Sequence, residues 1–129
     1  MTLLKKFEEV VATYRRHGWR LARVLMSEAA LAEWGAAPGG AGSGLFEGVA
    51  PAASEVDALW FARPSQGGRE AWELRLVAEP PYALFELFEP DEEEEEREDV
   101  RREMEARLRE YAAPRGEAGR GAPSPSGPS

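Results

Sequence analysis

The 129 residues carry a net charge of −8, with 43% hydrophobic and 31% charged residues, the balance of a soluble globular chain. Cysteine is absent, which excludes disulfides, thiolate metal sites and cysteine nucleophiles; His17 is the only histidine, so a metal site would have to rest on carboxylates. No apolar run approaches the roughly 18 residues of a membrane helix, and "MTLLKKFEEVV" lacks the apolar core of a secretory signal, so a cytoplasmic location is expected.

Residues 2–17 read as an amphipathic helix. Leu3, Leu4, Phe7, Val10, Val11 and Tyr14 recur at three- and four-residue spacing, Thr2 can cap the start and Gly18 can supply a left-handed stop. "WRLARVLM" (19–26) predicts a strand, and "SEAALAEWG" (27–35) a short helix capped by Ser27 and stopped by Gly35. "AAPGGAGSG" (36–44) is a flexible Gly-rich loop by composition, and residues 45–54 show no regular pattern. Three strands follow as a meander, 55–63, 69–79 and 82–89, with "PSQGG" as the first turn and "EPP" as the second. Pro90 ends the last strand, and 91–112 form a closing helix with Asp91 as its cap and Val100, Met104, Leu108 and Tyr111 as a narrow apolar seam. Residues 113–129 are Gly, Pro, Ser and charge, a composition that predicts disorder. The fold class expected is therefore α+β: one domain over 1–112, an antiparallel meander of about four strands packed with an N-terminal and a C-terminal helix, and a disordered tail.

The run 91–99 holds eight acids against one arginine, nearly all of the net charge. Acids in a first turn face the positive end of the helix dipole. Further along, Glu93–Arg97, Glu98–Arg102, Glu103–Arg107 and Glu105–Arg109 stand four apart in the favourable order. The patch Glu92, Glu93, Glu94, Glu95 and Glu96 thus reads first as a solvated helix start, and second as a surface for a basic partner. It repels phosphates, so direct nucleic-acid binding is not expected.

Pairing the meander locates a second candidate surface. If Arg63 and Arg69 close the first hairpin, Trp60 faces Trp72, Ala58 faces Leu74 and Val56 faces Leu76, all on one side of the sheet. For the last strand, placing Phe85 beside Leu76 and Leu87 beside Leu74 keeps that side apolar, whereas placing Glu86 beside Leu74 buries a carboxylate. The first arrangement sets Asp57, Arg75 and Glu86 in a row on the opposite face, among Leu59, Phe61, Val77, Leu84 and Phe88. A face this apolar calls for a cover: the chain's own helices, a second copy, or a ligand or partner protein.

Nothing in the chain matches a reactive constellation. No serine lies in a G-x-S-x-G elbow, and the glycines at 39–44 lack the Lys-Ser/Thr of a phosphate loop. The function expected is a non-catalytic protein-interaction module (adaptor, inhibitor or chaperone-like subunit) that acts through the apolar sheet face, the acidic helix, or both. A protein partner or homodimer is expected, with no cofactor and no membrane contact. The alternative is a small enzyme or ligand-binding protein, its pocket formed by carboxylates and arginines such as Glu86 and Arg75 between the sheet and the loop 36–44.

Overall fold

A computed structural model describes residues 2–36 and 46–113. In chain order they form α1 (Leu3–Arg16), β1 (Arg20–Met26), α2 (Glu28–Ala36), β2 (Pro51–Ala53), β3 (Ala58–Pro64), β4 (Glu70–Leu76), β5 (Tyr82–Phe88) and α3 (Glu94–Ala112). The strands make one sheet in the order β2-β1-β3-β4-β5, antiparallel except for the parallel β1–β2 pair. This is the expected α+β class, with five strands in place of four. The added strand is β2, three residues taken from the segment that has no periodic signal. The Gly-rich loop beyond Ala36 and the tail beyond Ala113 lie outside the described residues.

Helices cover both faces of the sheet. On one side Phe7 and Val11 of α1, Ala30 and Trp34 of α2 and the connecting Phe46 close over Leu21, Val24, Met26, Leu59, Phe61 and Val77. On the other, Met104 and Leu108 of α3 close over Ala58, Trp60, Ala62, Trp72, Leu74, Leu76 and Phe88, with Val100 and Tyr111 at the margin. The seam expected in the last helix is the surface that docks.

Local chemistry sets the ends of the elements. The Thr2 side chain accepts from the Lys5 N–H, and Gly18 takes the left-handed conformation (φ 86°) that closes α1. The N–H groups of Leu3 and Leu4 also point at the Glu33 carboxylate of α2, at 3.5 and 3.2 Å, which ties the two helices together. Gly35 lies inside α2 and does not stop it. In α3 the cap is Glu93 and not Asp91: its side chain and that of Glu96 form a reciprocal capping box, and the helix starts three residues later than expected.

Asp57 fixes the start of α2 from the head of the neighbouring strand β3. Its carboxylate accepts from the Ser27 N–H at 2.7 Å and from the Ser27 hydroxyl at 3.1 Å, while that hydroxyl oxygen caps Ala30 N–H at 3.4 Å. Removing the carboxylate in Asp57→Ala is expected to lower stability by about 1–2 kcal/mol, the usual worth of a helix cap. Urea denaturation checks this, and a loss under about 0.5 kcal/mol would show that Ser27 holds the helix start alone.

Two registers differ from the sequence expectation. In the first hairpin Ala58 faces Leu76, Trp60 faces Leu74 and Ala62 faces Trp72. The slip is two residues, so every side chain keeps its predicted face. In the second, Trp72 faces Glu86, Leu74 faces Leu84 and Leu76 faces Tyr82. That is an odd-numbered slip from the expected pairing, and it exchanges the two faces of β5.

Candidate functional site

The exchange of faces decides what β5 presents to water. Phe88 is buried against Trp72, with ring centroids 6.4 Å apart, and Tyr82 stacks on Tyr111 of α3 at 3.7 Å. These anchors at both ends of the strand outweigh the cost of turning Glu86 to the same side. Glu86 is only half-buried there, because an edge strand lets a long side chain reach past the sheet into solvent. The consequence is that Phe85 is 57% and Leu87 37% exposed, with Ala83 exposed beside them.

Among the described residues no strand pairs with the outer side of β5. Ser65 N–H donates to Arg69 C=O and Val77 N–H to Asp57 C=O, both at 2.8 Å, so the odd-numbered residues of β4 turn their polar groups toward β3. The even-numbered ones, Glu70, Trp72, Leu74 and Leu76, therefore bond β5 at Phe88, Glu86, Leu84 and Tyr82. Ala83, Phe85 and Leu87 must then aim their N–H and C=O groups at the open edge. One row of residues thus combines free hydrogen-bonding groups with exposed apolar side chains.

Edge strands that stay unpaired usually carry Lys, Pro, a bulge or a very short length. The opposite edge follows that rule: β2 is three residues long and starts at Pro51. Among the described residues the one irregular register of the antiparallel pairs lies between Leu21 and Arg23 of β1, away from β5. Across its seven residues β5 has one charge, Glu86, and its pairing is unbroken.

The seven residues expected to share one interaction face are divided. Leu59 and Phe61 are fully buried under α1, where Phe61 stacks on Tyr14 at 4.0 Å. Phe88 is buried under α3, and Leu84 and Glu86 lie half-buried on that same side. Arg75 stands on the α1 side, half-buried near Tyr14, and donates to its neighbour's carbonyl at Leu76. Asp57 is engaged by Ser27. The Asp57–Arg75–Glu86 row is thus not assembled, and a pocket joining Arg75 to Glu86 is ruled out by the sheet between them. The cover over Leu59 and Phe61 is the chain's own helices.

A polar cluster does form at the foot of α1. The Tyr14 hydroxyl donates to the Glu73 carboxylate, and burial, reinforced by that carboxylate, pushes the phenol above its ordinary range. With Lys6, Thr13 and Arg75 it borders a shallow hollow of about 230 Å³. A broader groove of about 750 Å³ runs between β1–β2 and α3, bordered by Arg23, Arg102 and Arg109 and by Glu55, Glu98 and Glu105, whose charges balance. Among the described residues no group of three or more carboxylates or histidines is placed to hold a metal ion.

The acidic run is largely absorbed by its own helix. Glu92 accepts from the Glu89 N–H at 2.6 Å, Glu93 and Glu96 form the capping box, and Glu94 accepts from Arg101 at 2.8 Å; Glu95 is exposed in the first turn. The arginines pair elsewhere than expected: Arg97 with Glu70, Arg102 with Asp99 and Arg109 with Glu55. Arg101 is a core residue despite its charge. It is 2% exposed, its guanidinium lies 4.0 Å over Trp72 and 5.2 Å over Phe88, and it donates to Glu98 at 2.8 Å. Glu98 also receives both terminal nitrogens of Arg23, at 3.1 and 2.7 Å. The two Arg23 hydrogen bonds, and then the one from Arg101, hold the Glu98 carboxyl down at about 2.

These features define a small α+β protein with one protected and one open sheet edge, and among the described residues no helix is long and apolar enough to cross a membrane. No family model, curated protein or solved structure matches the chain.

Proposed function

We propose that the chain is a non-catalytic protein-interaction module, an adaptor, inhibitor or chaperone-like subunit, and that it binds an extended protein segment along β5. The observation that carries this reading is the coincidence, at Ala83, Phe85 and Leu87, of outward backbone groups with exposed apolar side chains. Strand addition uses both: main-chain bonds supply affinity, and alternate side chains supply selectivity. The acidic start of α3 adjoins one end of this edge and favours a segment with basic flanks.

Selection from a library of extended peptides tests the proposal. Peptides recovered on the wild-type chain should bind Phe85→Lys and Ala83→Pro at least about tenfold more weakly, a loss of about 1.4 kcal/mol. Both variants should keep the fold, since the Ala83 N–H makes no ladder bond and an edge position accepts proline. Undiminished binding to both variants would mean that the peptides dock elsewhere, and the reading would fall.

A further inference from the structure

We infer that the segment docked on β5 is β5 of a second copy, run antiparallel about a two-fold axis through Phe85. This rests on the reading of β5 as a pairing edge and adds the identity of the strand that fills it.

The register follows from the strand's own residues. A two-fold axis normal to the sheet keeps faces, so it must pass through a residue and not between two. Centred on Glu86 it would set two carboxylates opposite one another, a destabilising pair. Centred on Leu84 it would set Leu87 against Pro81, which has no N–H to give. Centred on Phe85 it pairs Phe85 with itself and Ala83 with Leu87. Every outward-facing N–H and C=O of the three residues then meets a partner, and the exposed apolar row of each copy covers the other.

The helices above the strand agree with that axis. Glu98, Arg102, Glu105 and Arg109 lie on the flank of α3 turned to β1 and β2, so Glu103 and Arg107, exposed on the other flank, are turned toward the open edge. Arg101 lies over Phe88 and Tyr111 over Tyr82, which sets Ala106, midway between them on the helix, level with Phe85. The two-fold axis then brings Glu103 of one copy opposite Arg107 of the other, and the reverse. Two helices seated over β4 of each copy lie three strand spacings apart, about 14 Å, a span that a glutamate and an arginine bridge. The antiparallel arrangement also sends the two acidic helix starts to opposite ends of the joined sheet. An unrelated partner gives no reason for this self-complementary order of charges.

The full chain contains no cysteine, so a single introduced thiol reports the axis. Opposed residues in a hydrogen-bonded antiparallel pair have Cα atoms about 5.5 Å apart, within disulfide reach. Under mild oxidation Phe85→Cys should form a covalent dimer and Ala83→Cys should not, while the double variant Ala83→Cys/Leu87→Cys should. In light scattering across a concentration series, the wild type should reach twice the chain mass and Phe85→Lys should stay monomeric. Arg107→Glu should weaken association about fivefold, as expected for exposed pairs, and Glu103→Arg added to it should restore the affinity. A wild type monomeric at all concentrations overturns the inference. If that monomer still binds selected peptides through β5, the edge reading stands with another occupant; if it binds none, both fall. Cross-linking by Ala83→Cys but not Phe85→Cys overturns the axis proposed.

Discussion

Phe61→Ala is expected to destabilise the protein by about 3–5 kcal/mol, and Phe61→Ser by at least as much. The ring is fully buried, lies at the centre of the sheet under α1 and stacks on Tyr14 with an 8° interplanar angle. Removing it opens a cavity that Leu21 and Leu59 are held too firmly by the strand ladders to fill. It also strips the packing that orients the Tyr14 hydroxyl toward Glu73. Against a total of about 5–15 kcal/mol for a domain of this kind, the loss is large enough to shift the urea midpoint well down with little change in slope. Phe88→Ala should behave alike from the other face, where the ring lies under Arg97 and Arg101. A variant at either position that keeps wild-type stability would place that ring on the surface and contradict the layer order described above.

Glu98→Ala is expected to cost about 3 kcal/mol, and Arg101→Met considerably less. The order follows from what each change leaves behind. Without Glu98 the buried Arg101 keeps only Glu94, which is 72% exposed, and Arg23 loses both of its bonds to the carboxylate. Breaking a buried pair by deleting one partner leaves a desolvated charge, the most damaging kind of change. Methionine at 101 instead keeps the contact with Trp72 and Phe88, removes a buried Nε that has no partner, and leaves Glu98 bonded to Arg23. The same carboxyl shapes the acid limb of stability. Folding lowers its proton affinity, so its contribution is complete above the unfolded value near 4.5 and is lost as the pH falls toward about 2. Glu98→Gln should therefore flatten the wild-type decline over that window, as read by urea midpoints between pH 5 and pH 2; an unchanged slope would mean the Arg23–Glu98 pair is not formed in solution.

Periodicity made the helices legible. The stripe from Leu3 to Tyr14 and the seam from Val100 to Tyr111 each match one buried flank, because a helix repeats its face every three to four residues whatever surrounds it. Arg101 sits on that seam, between Arg97 and Met104, so its burial had a signal in spacing that its charge concealed. The first hairpin kept its faces because a two-residue slip is even, and in β4 Trp72 and Leu74 alternate with Ala71, Glu73 and Arg75. In β5 the alternation fails: Tyr82, Leu84 and Phe88 on one side and Phe85 and Leu87 on the other are both apolar, and no tight turn fixes the register after Leu76. Only Glu86 distinguishes the two registers, and on an edge strand a glutamate can turn to the core side and still reach solvent. Three-residue β2, "PAA", has no pattern to read because its pairing is imposed by β1.

The claim that β5 is a pairing edge is tested most directly by amide hydrogen exchange at Ala83, Phe85 and Leu87, resolved by NMR at low and high protein concentration. All three N–H groups should exchange freely in dilute solution and become protected together as concentration rises, while Leu84 and Glu86, bonded to β4, stay protected throughout. Free exchange at Phe85 at every concentration would contradict self-pairing. Protection at Phe85 that is already present in the dilute monomer, with Leu84 and Glu86 exposed, would contradict the direction in which β5 faces the edge.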